Sequence, residues 1–193
     1  MSTERPPGLS LVRGEGLGEP KPGHTVALNI LRNLGDVGSV QMSLPFVKPS
    51  THAIISVGLD MLDYSSFELL VKTCEIAQIV DIRISPSFWG RGFSRPAIDD
   101  LFFRTGIVYR QCPELANVFV GDSALSHAGV VLERFRDHIR AKADLLQSFG
   151  TLVSHGPVLL VSRSSLHAHS ERAIVVEELA RIGVKFDLHV VGP

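Results

Sequence analysis

The chain has few of the features by which a sequence usually declares its chemistry. Only two cysteines, Cys74 and Cys112, stand among 193 residues, too few and too ordinarily spaced for a disulfide framework or a zinc knuckle. No segment reaches the roughly 18 to 20 apolar residues of a membrane span. The first 25 residues hold no apolar run of the length that a secretion signal needs, so the expectation is a soluble, cytoplasmic protein. An excess of one charge is also missing: 19 basic against 20 acidic residues leave a formal net charge of −1. There is then no global field to hold a polyanion by counter-ion release, and nucleic acid is a disfavoured partner. A Walker loop, a dinucleotide glycine fingerprint and a Gly-x-Ser-x-Gly elbow are all absent, and no internal repeat is visible.

What is present suits one domain. Apolar residues make up 45% of the chain and charged residues 20%, enough apolar mass for a core and far from the composition of disorder. Fourteen arginines face five lysines; this reads first as genome composition, and second as planar recognition of carboxylate or phosphate. Residues 1–23, rich in Pro, Gly, Glu, Arg and Ser, read as a flexible tail. In residues 24–50, Val26, Leu28, Ile30 and Leu34 fit strand alternation and helix alike, while Gly35, Gly38, Pro45 and Pro49 break any long element. This segment is an extension of unassigned structure, and residues 51–193 form the α/β domain.

Within that domain, strand and helix patterns alternate. Apolar strands are expected at Ala53–Val57, Ile79–Ile84, Ile107–Tyr109, Pro157–Val161 and Phe186–Val191. Between the first two, Ser65 with Glu68 gives a capping-box pattern opening a helix whose Phe67, Leu70, Val71 and Cys74 share one face. A second helix opens near Pro96, with Ile98, Leu101, Phe102 and Thr105 on one face, and closes at Gly106. Val131, Phe135, Ile139, Ala143 and Leu146 predict one long helix between Gly129 and Gly150, and Val175, Leu179 and Ile182 a last one over Glu171–Ile182. Parallel strands need crossovers, and each crossover lays a helix on the sheet. The fold class is therefore α/β, a three-layer sandwich with a mainly parallel sheet of about five strands.

Ligands of such sheets bind beyond the carboxyl ends of the strands, which selects three groups of residues. Asp81 and Arg83, two apart on one strand, point to one face; they form either an ion pair that holds the following loop or a direct catalytic pair. The loop Ser85–Phe93 carries Trp89 and Phe93 with Arg91 and two glycines, a composition suited to a lid over a planar ligand or to a loop pinned by its aromatics. The segment Ser162–Arg172 is dense in hydroxyls, imidazoles and guanidinium groups. Ser162, Ser164, His169 and Arg172 could cradle an anion at a helix N-terminus, with Ser170 as N-cap. His167 and His169 lack the carboxylate or thiolate spacing of a zinc site, so no metal site is assigned, and the sequence names no cofactor.

The order of these segments resembles a family known only as domain of unknown function 488, from Ile54 to Val191. A family strand close to Thr-Ile-Gly-His-Ser corresponds to Ser56-Val57-Gly58-Leu59-Asp60. Phe67 falls in the helix that follows, and Val-Asp-Val-Arg followed by Pro corresponds to Val80-Asp81-Ile82-Arg83 with Pro86. Phe93, Gly106-Ile107-Val108-Tyr109 and Pro113-Glu114-Leu115-Ala116 match the next motifs. Toward the C-terminus the family tends to read Leu-Cys-x-Glu and then Cys-His-Arg, where this chain has Val161-Ser162-Arg163-Ser164 and Ser170-Glu171-Arg172. Of that last cluster only Arg172 remains, so thiol chemistry, if typical members use it, cannot operate unchanged here. The resemblance implies the α/β fold and adds weight to Asp81, Arg83, Tyr109 and Arg172, but brings no activity with it. The expected function is an enzyme or ligand-binding domain for a small anionic, nucleotide-like molecule, with Asp81, Arg83 and Tyr109 as catalytic candidates. The alternative is a catalytically silent protein-interaction module, and a homo-oligomer is compatible with either.

Overall fold

The computed structural model describes residues 49–88, 90–119, 128–164, 166–168 and 170–191. The tail at 1–23, the extension at 24–50 except its last two residues, Trp89 and His169 lie outside these residues. Five strands form one all-parallel sheet: β1 (Ala53–Gly58), β2 (Gln78–Asp81), β3 (Val108–Gln111), β4 (Val158–Ser162) and β5 (Asp187–Val191), in the spatial order β3-β2-β4-β1-β5. The central strands β1 and β4 are buried along their whole length. That is why Ala53-Ile54-Ile55 and Val158-Leu159-Leu160-Val161 read as continuous apolar runs rather than as alternation.

From β1 the chain moves outward to β2 and β3, then turns back to β4 and on to β5. Right-handed crossovers in opposite directions put their helices on opposite faces. Helices α1 (Tyr64–Thr73) and α2 (Arg95–Thr105) accordingly bury Phe67, Leu70, Ile98 and Leu101 against Ile55, Ile79 and Leu159. Helices α3 (Ala128–Arg140), α4 (Ala143–Ser154) and α5 (Glu171–Arg181) bury Phe135, Phe149 and Leu179 against Ile54, Val80 and Leu160 on the other face. The result is the expected three-layer sandwich. Because β1 leads to one face and its neighbour β4 to the other, the carboxyl ends of these two strands open a crevice between the departing loops. Among the described residues no helix is long and apolar enough to cross a membrane.

Several local expectations are corrected. Helix α1 is capped by Asp63, whose carboxylate accepts from the Ser66 amide at 2.7 Å, so the Ser65/Glu68 pair is not the cap. An Asp placed one residue before the helix reaches the free amides of the first turn, which Ser65, already inside it, does not. The single long helix expected over 129–150 is two, α3 and α4, broken at Ala141 and Lys142, and Ala143 is exposed. The apolar phase before and after the break is continuous enough to hide it. Strand β2 ends at Asp81, so Arg83 is not on a strand: the Arg83 amide bonds the Asp81 carboxylate at 3.0 Å and turns the chain out of the sheet. Strand β3 starts at Val108 and runs to Gln111 along an edge. Thr105 is exposed, its hydroxyl donating back to the Leu101 carbonyl at 2.6 Å.

Candidate functional site

At the carboxyl ends of β1, β2 and β4 lies a cleft of about 770 Å³. Its walls include Asp60, Arg83, Arg91, Asn117, Ser162 and Arg163. The loop after β2 forms one wall, and it is fixed from inside. Phe88 is 8% exposed and Phe93 is packed against the core, with ring centroids 5.7 Å from Phe67 to Phe93 and 6.0 Å from Tyr109 to Phe88. Phe88 and Phe93 therefore anchor the loop, although Phe93 still lines the cleft. At its tip Gly90, Arg91 and Gly92 all have positive φ, and Arg91 at 45° is a non-glycine residue in the left-handed region. Such strain is held in place only by its surroundings, here the Phe93 amide donating to the Gly90 carbonyl at 2.8 Å and the Tyr64 amide donating to the Arg91 carbonyl at 3.0 Å.

Asp81, Arg83 and Tyr109 come together as one network. The Asp81 carboxylate is fully buried and accepts from the Arg83 amide, from Arg83 Nε at 2.9 Å, from Nη2 at 2.6 Å and from the Tyr109 hydroxyl at 2.9 Å. Burial first, then the negative charge of Asp81, pushes the Tyr109 phenol up, so it stays a protonated donor. The Arg83 guanidinium also donates to the Ser87 carbonyl at 3.0 Å and lies 4.8 Å over the Phe88 ring. Both oxygens of Asp81 are thus occupied, and Arg83 presents to the cleft a charge that is already compensated.

Arg172 is held differently and on the opposite face of the sheet. It sits in the first turn of α5, fully buried. Its Nε donates to Ser56 Oγ at 2.9 Å, and Nη1 donates to Ser162 Oγ at 2.6 Å and to the Ser164 carbonyl at 2.7 Å, while Nη2 is buried with no hydrogen-bond partner among the described residues. All these acceptors are neutral. Three charged side chains are buried among the described residues, Asp81, Glu178 and Arg172. Asp81 has Arg83, and Glu178 has Arg136, Arg140 and Arg181 around it. Arg172 alone has no carboxylate in ion-pairing reach among those residues. Burial pulls its guanidinium down to about 10, with Glu171 acting the other way, which still leaves it charged at neutral pH. Ser162, which takes one of its hydrogen bonds, is part of the cleft wall.

Behind Ser56 stands His167, its Nδ1 2.8 Å from Ser56 Oγ. A guanidinium can only donate, so Ser56 accepts from Arg172, and its oxygen keeps a second lone pair and one proton for His167, the imidazole tautomer setting which of the two is used. Burial and then the charge of Arg172 push His167 down to about 4, with Glu177 pulling weakly upward. The unfolded ring titrates near 6.5, so between about pH 6.5 and 4 the unfolded chain binds more protons. The stability that His167 contributes is therefore complete above pH 6.5 and is lost as the pH falls toward 4. Relative to His167→Gln, the wild type should lose about 1 kcal/mol more on going from pH 7 to 4.5, a modest figure because the ring is part-exposed and solvent screens its charge. Denaturant unfolding of both proteins at the two pH values measures it, and equal losses would mean that the ring is not held neutral.

Ser170 occupies the N-cap position of α5 but its hydroxyl donates to the His167 carbonyl at 2.8 Å instead of capping the helix. Ser164 contributes only its carbonyl. The positions that sequence reasoning passed over are Ser56, Asn117 and Arg163, while Arg91 was named only as part of its loop. Ser56 had a readable signal, a hydroxyl in the middle of the apolar run Ala53–Val57; Arg91 and Arg163 had none beyond their loops. Among the described residues no three His, Cys, Asp or Glu side chains gather as a metal site would require. A model of the family described as domain of unknown function DUF488 matches residues 65–179. No curated protein and no solved structure matches the chain.

Proposed function

The chain belongs to the DUF488 family, whose description assigns no activity, and from the site itself we propose a ligand-binding or catalytic cleft for a small anionic molecule. The observation that carries this reading is the buried Arg172 guanidinium, which among the described residues has no carboxylate in ion-pairing reach, one residue behind the cleft wall. A lone buried charge is costly to maintain, and a ligand carrying the missing negative charge would relieve that cost on binding. The rim supports the same reading. Arg91 and Arg163 are exposed at the mouth, and Arg163 has only a loose contact with Asp60 at 3.7 Å, both side chains being largely solvated. Asn117, nearly buried in the wall, adds a neutral polar group. In this reading Asp81 and Tyr109 orient Arg83 and the loop after β2, and a flat ligand would meet Phe93 in the wall.

The test is a thermal-shift and calorimetric screen of the full chain against inorganic phosphate, sulfate, acetate and nucleoside monophosphates. Saturation at a hundredfold excess over the dissociation constant should add about 2.7 kcal/mol of stability. The Arg91→Ala/Arg163→Ala double variant should keep its fold and bind the same anion more weakly and with less salt dependence. If no anion in the panel binds the wild type, the weight passes to the protein-interaction reading.

A further inference from the structure

The two serines that hold Arg172 differ in one respect. Ser56 receives Arg172 Nε and is also hydrogen-bonded to His167 Nδ1. Ser162 also accepts from Arg172, at 2.6 Å, so its single proton remains to be donated, and among the described residues no acceptor takes it. Ser162 ends β4 and lines the cleft, whereas Ser56 lies inside β1 and does not. We propose that the Ser162 hydroxyl, hydrogen-bonded from behind by Arg172, is the oxyanion donor of this cleft, and that the ligand places a carboxylate, phosphate or sulfate oxygen on it. This inference rests on the anion reading of the cleft and narrows it to an atom and to a ligand chemistry.

Three physical points support the assignment. A hydroxyl that accepts from a cation is polarised and becomes a stronger donor. Among the described residues no carboxylate lies in ion-pairing reach of the charge behind it and Arg172 Nη2 is buried without a hydrogen-bond partner, so a group that brings negative charge to Ser162 gains more than a neutral acceptor would. Finally, the Ser162 hydroxyl and the Arg163 guanidinium are donors in a wall that also holds the Asp60 and Glu171 carboxylates. A neutral hydroxyl or amide could accept from these donors but brings no charge to Arg172, whereas a deprotonated oxyanion is acceptor-only and does.

The experiment compares wild type, Ser162→Ala and Ser162→Cys, each as the full chain, by calorimetry with phosphate, sulfate and acetate separately; whichever probe binds identifies the oxyanion. Ser162→Ala should bind that probe about ten- to a hundredfold more weakly, the range of one charge-assisted hydrogen bond. Ser162→Cys keeps the side-chain shape and carries the test if the alanine variant does not fold. Its thiol, beside Arg172, should ionise below the ordinary thiol value of about 8.5, and its thiolate should exclude the anion. The titration is readable by ultraviolet thiolate absorbance as a difference from wild type, because burial pushes Cys74 up to about 11 and raises Cys112 as well. A cysteine that titrates as an ordinary thiol, or an alanine variant that binds like wild type, would overturn the assignment to Ser162 and leave the cleft reading standing. A wild type that binds none of the three probes would bring down both.

Discussion

Asp81→Ala is expected to lower folding stability by about 3 to 5 kcal/mol, the cost of removing one partner from a buried charge pair. The carboxylate is fully buried and receives two guanidinium nitrogens, a backbone amide and a phenol. Without it, Arg83, whose side chain is only 11% exposed, would face the Tyr109 hydroxyl and carbonyls with no counter-charge. The turn that carries the chain out of β2 would also lose its amide acceptor. Tyr109→Phe removes only one donor from a carboxylate that keeps its other bonds, and should cost about 1 kcal/mol. Denaturant unfolding with an unchanged slope would report these as losses of native-state stability. An Asp81→Ala protein that is as stable as wild type but no longer binds or turns over a ligand would reverse the assignment and make Asp81 a group that acts on the ligand.

Arg172→Met is expected to do the opposite: to stay within about 2 kcal/mol of wild type in stability while losing at least about a hundredfold in anion affinity. The side chain has similar length, so no large cavity opens. The hydrogen bonds lost to Ser56, Ser162 and the Ser164 carbonyl are set against removal of a buried cation that, among the described residues, has no carboxylate partner and one nitrogen unsatisfied. Exchange of a buried ionic group for a well-packed apolar one is often close to neutral for this reason. The affinity has no such compensation, because the charge is the source of the attraction. The pair of variants thus separates a charge that the fold completes from one that the fold leaves open. Calorimetry and unfolding on the same preparations measure both quantities. Arg172→Met unfolding at 25 °C, or binding an anion as wild type does, would mean that Arg172 is a structural strut.

Much of the fold could be read from residue patterns. Ile54 and Ile55 in β1, and Leu159 and Leu160 in β4, belong to continuous apolar runs because both faces of those strands are covered, and the alternation with amphipathic helices required crossovers. Pro96 and Gly106 marked α2 because helix starts and left-handed turns depend on local chemistry. The break between α3 and α4 was not legible, since Phe135, Ile139 and Leu146 keep a helical rhythm across Ala141 and Lys142. For the site, the sequence paired Asp81 with Arg83 and grouped Ser162 with Arg172, but it could not bring Tyr109 to Asp81 or Ser56 to Arg172. Asp81 and Tyr109 lie on the α1 and α2 face of the sheet, whereas Ser56 and Ser162 meet Arg172 of α5 on the other, and the crevice at the strand ends adjoins both.

The sequence by itself determined the class of fold and the parallel sheet, because hydrophobic periodicity, caps and turns are set by neighbours along the chain. The tertiary structure alone decided which buried charge is satisfied. Ser56 and Arg172 are 116 residues apart and Asp81 and Tyr109 are 28 apart; such contacts depend on strand order and on the face each side chain takes. Strand order follows from the packing of whole elements, so whether an arginine finds a carboxylate or two serines is fixed only when the sheet is assembled.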